Sequence, residues 1–280
     1  MLCLAPAFPA FHLQHPKSQV EVLDLFRRAI VRKPGDNFAD GLTSAELGVP
    51  DPSAALSQHE AYCRALESCG LQLIRLPADP QHPDSTFVED TAILTSRSAI
   101  LTRPGASSRL GEITGIRETI DRFYSSTRQI AAPGTLDGGD ICEAGNHFFI
   151  GISHRTNEEG ARQLGRFLAA SGYTSSTVDI RSTQSILHLK SGIAYLGNKV
   201  LVVMEEMAGR EEFSGHSLLT VSPEESYACN CVLVNERVLV PAGFPRIIDE
   251  LERRGYKTLP LEMSEFRKMD GGLSCLSLRF

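Results

Sequence analysis

The chain has 280 residues, of which 42% are hydrophobic, and this is enough to bury a core in one large domain or two small ones. Its net charge is −6 and it has no run of lysines and arginines, which argues against a nucleic-acid partner. The longest apolar run is too short to span a bilayer, which argues against a membrane partner.

The N-terminus and the cysteines indicate a cytoplasmic protein. Residues 1–6 lack a cationic start followed by a long apolar stretch, so no signal peptide is predicted. The seven cysteines are odd in number and scattered, which is typical of reduced thiols and not of a disulfide framework. Cys229 and Cys231 are not accompanied by a second pair at ligand spacing, so no metal site is predicted.

The first predicted elements belong to a unit that lacks its opening strand. A strand is predicted over 29–32, a helix over 54–69 and a second strand over 71–74. Between the first strand and the helix, residues 33–53 are rich in Gly, Pro, Asp and Ser and predict a long loop. Long loops inside compact domains are often lids, and we expect one here.

Further along the chain, four pairs of β-prone segments flank short polar turns, which is the pattern of β-hairpins. The pairs are 92–94 with 99–101, 140–142 with 148–150, 193–195 with 200–202, and 231–234 with 238–240. All but the third are followed by a helical pattern and then a strand. The helices are 111–124, 157–170 and 245–254, and the strands are 128–130, 176–178 and 257–259. After the third pair, 204–213 is too short and Gly-interrupted for a helix, although 218–221 suits a strand.

The repeating unit is therefore strand, turn, strand, helix, strand, with a period of roughly 40 to 50 residues. A strand over 273–280 supplies the opening strand that the N-terminal unit lacks. Such pairing of the two ends of the chain closes a ring and removes an exposed edge. We predict a single catalytic domain over 1–280, an α/β propeller with five-fold pseudo-symmetry. An α+β sheet without ring symmetry is the alternative.

Reactive side chains recur near the start of each unit, where rotation about one axis would bring them together. They are Glu89, Asp90, Asp137, His188, Asn230 and Cys275. Each has an ordinary interpretation, because a lone cysteine or histidine in an apolar segment is usually part of the core. The adjacent acids Glu89 and Asp90 are harder to explain in this way. They interrupt a β-prone run and place at least one carboxylate on the buried side, where an unpaired charge is costly.

These residues stand in motifs that resemble the dimethylarginine dimethylaminohydrolase family of the guanidino-group-modifying, or pentein, superfamily. The motifs are 87–90 (FVED), 102–106 (TRPGA), 108–109 (SR), 135–140 (TLDGGD), 155–157 (RTN), 187–191 (LHLKS) and 269–271 (MDG), with Cys275 after them. They follow the family's order from about residue 84 to the C-terminus. The resemblance implies a five-fold α/β propeller, in agreement with the repeat.

The resemblance also implies roles for individual residues. It places the nucleophile at Cys275, the general acid and base at His188 and the carboxylate that orients the histidine at Asp137. The implied substrate-binding residues are Leu42, Asp84, Glu89, Asp90, Arg109, Arg155, Met269 and Asp270. The two arginines would hold the amino-acid end of the substrate, and Glu89 and Asp270 would contact its guanidinium. Leu42 would belong to the lid, and Met269 stands where relatives often carry a small branched residue.

The implied reaction is hydrolysis of a methylated arginine to citrulline and a small amine. It proceeds through a covalent intermediate on Cys275 and needs no metal or organic cofactor. The partner is a small guanidino amino acid, and a homodimer is a further expectation. A deiminase acting on arginine or an amidinotransferase would use the same residues, so both remain alternatives. A propeller that binds a partner without catalysis is the alternative from a different class.

Overall fold

A computed structural model describes residues 25–280 of the chain. In chain order its elements are β1 (Arg28–Arg32), α1 (Pro52–Ser68), β2 (Gln72–Leu76), β3 (Ala92–Leu94), β4 (Ala99–Leu101), α2 (Ile113–Ile120), β5 (Thr127–Gln129), β6 (Ile141–Ala144), β7 (His147–Ile152), α3 (Glu158–Ala170), β8 (Thr174–Asp179), α4 (Leu189–Gly192), β9 (Ile193–Tyr195), β10 (Val200–Met204), β11 (Ser217–Val221), β12 (Val232–Val234), β13 (Arg237–Pro241), α5 (Pro245–Arg253), β14 (Lys257–Leu261), α6 (Ser264–Arg267) and β15 (Leu278–Arg279).

The strands form five sheets of three strands each. The sheets are β3-β4-β5, β6-β7-β8, β11-β10-β9, β12-β13-β14 and β15-β1-β2. In each, an antiparallel pair is extended by a parallel third strand. The predicted repeat, its four hairpins and the unit assembled from both ends of the chain are confirmed.

The helices begin and end where local chemistry predicts. Asp51 caps the start of α1 by accepting the amide of Ala54 at 2.8 Å, and Asn157 caps α3 through the amide of Gly160 at 2.8 Å. Gly255 follows α5 with φ of +88°, a conformation that favours glycine after a helix end. The third unit has two 3-10 turns in place of a helix, over Glu205–Met207 and Glu211–Phe213, as its short and Gly-interrupted sequence indicated.

Two predicted elements differ from those observed. The helix expected over 111–124 is divided into a 3-10 turn, Ser107–Glu112, and the shorter helix α2. The strand expected over 273–280 is limited to β15, because Ser274–Leu276 forms a 3-10 turn. Both departures occur beside buried polar side chains, Arg109 and Ser274, that hydrogen-bond to distant parts of the chain.

Hydrophobic cores lie between neighbouring units and hold the ring closed. Ile30 and Leu278 of one unit pack with Ala92 and Leu101 of the next, for example. The opening strands β3, β6, β9, β12 and β15 surround a central cavity of about 1340 Å³. That cavity lies toward the hairpin turns, so the loops that precede the opening strands gather at the other end. Among the described helices, none is both long and apolar enough to cross a membrane.

Candidate active site

One cavity at the loop end of the ring collects nine of the eleven predicted site residues. They are Leu42, Asp84, Asp90, Arg109, Arg155, His188, Met269, Asp270 and Cys275. The other two are buried: Asp137 contacts His188 of this cavity, whereas Glu89 contacts Lys190, which lines the central cavity. Side chains separated by more than 200 positions in the sequence therefore share one small site.

His188 and Asp137 form a buried pair. The Nε2 atom of His188 lies 3.0 Å from Oδ2 of Asp137, and Oδ1 of Asp137 accepts the amide of Gly105 at 2.8 Å. The glycines after Asp137 are required by packing: a Cβ on Gly139 would lie 2.8 Å from the His188 ring. The motif 137–140 thus brings the backbone against the imidazole and fixes its orientation.

The His188 imidazole is surrounded by carboxylates. Burial lowers its pKa, but Asp90, the hydrogen bond with Asp137, and Asp140 outweigh burial and raise the pKa to about 9. The Asp140 carboxylate is itself fully buried and accepts the amide of Leu189 at 3.0 Å and the hydroxyl of Ser153 at 2.7 Å. At neutral pH His188 is therefore an imidazolium, which can give a proton to a leaving group.

Cys275 sits in the turn Ser274–Leu276 and is partly exposed. Burial of the sulfur, together with Glu89 and Asp90, raises the pKa of the thiol to about 12, although the amide of Gly272 and the Lys190 ammonium act in the opposite direction. That amide lies 3.4 Å from Sγ. Without a ligand, Cys275 is thus a neutral thiol at pH 7, and a cation beside it would favour the thiolate.

Arg109 is held by an extensive buried network. Its Nε and Nη2 atoms form a bidentate ion pair with Glu112, at 2.9 and 2.8 Å, and its Nη1 donates to Asp90 at 2.6 Å. Its Nη2 also donates to the carbonyl of Phe87 at 3.0 Å. Most of its donor capacity is therefore already used, and little remains for a substrate.

Arg155 is better placed to meet an anion. Its side chain is 19% exposed, and its Nη1 atom lies 4.0 Å from Asp137, which is at the limit of an ion pair. Its guanidinium can form a bidentate ion pair with a carboxylate that enters the cavity.

Glu89, which the resemblance assigns to the substrate guanidinium, faces other partners. Its Oε1 lies 2.6 Å from the Nζ of Lys190, and its Oε2 accepts the hydroxyl of Ser274 at 2.7 Å. These three residues line the central cavity. Glu89 therefore faces the central cavity and is not among the residues that line the loop-end cavity.

The predicted lid loop covers the loop-end cavity and is fastened by two carboxylates. Asp84 accepts the amide of Leu42 at 3.0 Å, and Oδ2 of Asp270 accepts the amide of Ser44 at 2.5 Å and its hydroxyl at 3.0 Å. The enclosed space is about 20 Å³, close to that of one water molecule. A guanidino amino acid therefore requires movement of this loop or of the side chains beneath it.

Among residues 25–280, the donor atoms of Asp90, Asp137 and His188 lie close enough to share a metal ion, all within 4.8 Å. Those atoms already bind one another, Arg109 and the amide of Gly139. A cation here would have to displace these contacts, so we assign no metal to the group.

Several residues of the site were given no role by sequence reasoning. They are Glu112, Asp140, Lys190, Asn230 and Ser274. Glu112 could have been found from its spacing of three residues after Arg109, and Asp140 and Lys190 lie inside recognised motifs. Asn230 was noted only for its position at a strand start, and no local signal marks Ser274.

The chain is similar to proteins of known family. The arginine deiminase family model matches residues 116–231. A dimethylarginine dimethylaminohydrolase of Pseudomonas aeruginosa is 48% identical over 257 residues, which cover 91% of this chain and 100% of that protein.

Solved structures of the same family and of the same fold are similar to this chain as well. A cysteine-to-serine mutant of the P. aeruginosa enzyme in complex with citrulline superposes with a TM-score of 0.89 at 48% identity, covering 92% of this chain and 100% of that one. The N-terminal domain of ArgZ, a cyanobacterial arginine dihydrolase, superposes with a TM-score of 0.82 at 16% identity, covering 91% and 97%, and supports the five-module pentein fold. Given identity of nearly one half over almost its whole length, this chain belongs to the dimethylarginine dimethylaminohydrolase family.

Proposed function

We propose that this protein hydrolyses Nω-methylated arginine, asymmetric dimethylarginine or monomethylarginine, to citrulline and dimethylamine or methylamine. The observation that carries the proposal is the convergence of Cys275, the His188–Asp137 pair and Arg155 on one cavity that is lined by both carboxylates and arginines. The chain's similarity to a named dimethylarginine dimethylaminohydrolase supports the same substrate class.

The charges of the cavity suit a zwitterion with a cationic end. Arg155, assisted by the remaining donor capacity of Arg109, would hold the α-carboxylate. Asp90, whose pKa is lowered to about 2 because His188 and Arg109 outweigh burial, stays ionised and would attract the guanidinium. Binding of that cation beside Cys275 would offset the carboxylates that keep the thiol protonated.

The reaction then has two stages. The thiolate of Cys275 forms a bond to the guanidinium carbon, the carbon–nitrogen bond to the methylated amine breaks, and His188 gives its proton to that amine. This leaves a covalent S-alkylthiouronium and a neutral imidazole. His188 next accepts a proton from water, and the resulting hydroxide attacks the same carbon. The carbon–sulfur bond then breaks and the added hydroxyl loses its proton to solvent, which gives citrulline, the thiolate of Cys275 and the imidazolium of His188.

The test is to incubate the protein with asymmetric dimethylarginine, monomethylarginine and arginine in parallel and to measure citrulline. We expect citrulline from the methylated substrates and little from arginine. Cys275→Ser should reduce turnover by at least about 10³-fold, as loss of a nucleophile does. Cys69→Ser, which changes another partly exposed cysteine at the end of α1, should keep normal activity. Citrulline from arginine alone would indicate the deiminase, and full activity of Cys275→Ser would refute the nucleophile.

We also propose that the protein works in a reducing compartment such as the cytoplasm. All six cysteines within residues 25–280 are free thiols. A reducing environment would keep Cys275 available for attack on the substrate.

A further inference from the structure

A closed circuit of polar contacts lies directly beneath Cys275. It joins Glu89, Lys190, Asn230 and Ser274, which come from four different units of the propeller. Lys190 lies two residues after His188, and Ser274 precedes Cys275. The circuit therefore links the segments that carry the proposed base and the proposed nucleophile.

Asn230 is the bridge in this circuit. Its Nδ2 donates to the carbonyl of Lys190 at 2.9 Å and to the hydroxyl of Ser274 at 3.0 Å, and its Oδ1 accepts the amide of Ser274 at 2.9 Å. From Ser274 the contacts continue to Glu89 at 2.7 Å and from Glu89 back to the Lys190 ammonium at 2.6 Å. Both donors and the acceptor of the amide are thus used.

The surroundings leave the amide no alternative position. Asn230 is 5% exposed, and a Cβ on Gly272 would lie 2.4 Å from its Oδ1. Gly272 is also the residue whose amide lies 3.4 Å from the Cys275 sulfur. In the turn that leads to Asn230, the hydroxyl of Tyr227 donates to the carbonyl of Gly271 at 2.9 Å. Residues 227–230 therefore hold residues 271–274 at both ends.

We infer that Asn230 is a positioning residue that fixes Cys275 relative to His188. The inference rests on the proposed function, since it matters for catalysis only if these two side chains react with the substrate. Asn230 touches no group assigned to substrate binding in the loop-end cavity. Its loss should therefore affect the chemical step much more than substrate affinity.

The decisive variant is Asn230→Ala. We expect kcat for the methylated arginine to fall about 10- to 100-fold, because small misplacements of reacting groups have effects of this size. KM should stay within about 3-fold, because Arg155 and Asp90 keep their contacts. A merely structural role would lower the melting temperature without this split between kcat and KM.

Asn235→Ala is the matched control. Asn235 also makes three hydrogen bonds through its amide, to the backbone of Phe26 and of Cys69, but it lies in the hairpin turn at the opposite end of the same unit. It should lose stability and retain normal kcat per folded molecule. Equal kcat values for Asn230→Ala and the wild-type protein would overturn the inference.

Two further measurements make every outcome decisive. If Asn230→Ala does not fold, Ser274→Ala is the second variant. It removes the hydrogen bonds of the Ser274 hydroxyl with Glu89 and with Nδ2 of Asn230, but it keeps the hydrogen bond from the backbone N–H of residue 274 to Oδ1 of Asn230. It should lower kcat with little change in KM. If the wild-type protein makes no citrulline, the proposed function fails. The positioning role is then judged from a crystal structure of Asn230→Ala, in which the turn Ser274–Leu276 should shift relative to His188; an unshifted turn refutes it.

Discussion

At the scale of single residues, the site depends on a histidine that stays charged although it is buried. Burial disfavours the imidazolium, yet the pKa of His188 is raised to about 9 because Asp90, Asp137 and Asp140 surround the ring. Folding therefore gains stability from this charge below pH 6.5, the ordinary value, and loses that gain as the pH rises through 9. The Asp140 carboxylate contributes without touching the cavity.

Replacing Asp140 with asparagine should make His188 easier to deprotonate. We expect the NMR titration of the His188 Cε1–H signal to have its midpoint near pH 9 in the wild-type protein and about one pH unit lower in Asp140→Asn. Asp249→Asn removes a carboxylate from the exposed face of α5 and should leave the midpoint unchanged. A wild-type midpoint near 6.5 would contradict this electrostatic account.

At the scale of elements, local patterns determined most of the fold. The hairpins were predictable because each joins β-prone segments through a short polar turn, and the helix starts at Asp51 and Asn157 follow ordinary capping. The turn at Ser274–Leu276 was not predictable as such. Its geometry depends on Asn230 and Glu89, which lie 44 and 185 positions away. Local propensity carries no information about such partners.

The contacts that hold the lid loop also come from residues distant in the sequence and were not predictable from its composition. Its composition predicted a loop, and the resemblance pointed to Leu42, but the contacts that hold it come from Asp84 and Asp270. Asp270 has φ of +56°, a conformation that aspartate and asparagine tolerate better than most residues. Its carboxylate faces Ser44 and Thr43, which favours a role in fastening the lid, whereas the resemblance implied a contact with the guanidinium.

Asp270→Asn distinguishes these two roles, because it keeps the backbone conformation and removes the charge. If Asp270 fastens the lid, KM should rise about 3- to 10-fold with kcat nearly unchanged. Asparagine replaces a hydrogen bond to a charged group by one to a neutral group, and this change costs about 1 kcal/mol. Hydrogen exchange at the amides of Leu42 and Ser44 should accelerate. Asp40 is an exposed residue of the same loop, and Asp40→Asn should change neither KM nor the hydrogen exchange of these amides. A large fall in kcat with unchanged exchange would instead place Asp270 on the guanidinium.

At the scale of the whole molecule, the ring is closed by the two ends of the described chain. β15 pairs with β1, and the carbonyl of Phe280 accepts the amides of Arg27 and Arg28 at 2.9 and 2.8 Å. The repeat predicted this closure because the N-terminal unit lacked its opening strand. Since Cys275 lies three residues before β15, the closing contact also supports the nucleophile's segment.

Leu278→Ala tests whether this closure stabilises the whole ring. Leu278 is 5% exposed in the core between the unit of β15, β1 and β2 and the unit of β3, β4 and β5. Its truncation should therefore lower the free energy of unfolding by about 2–5 kcal/mol. Leu25→Ala, at a leucine that is 65% exposed beside the same sheet, should cost less than about 0.5 kcal/mol. Urea unfolding followed by circular dichroism gives both values, and labelling of Cys275 during the same titration shows whether its turn opens with the ring. Coincident transitions are expected for a ring that unfolds as one unit, whereas early labelling of Cys275 would show that the closing contact opens on its own.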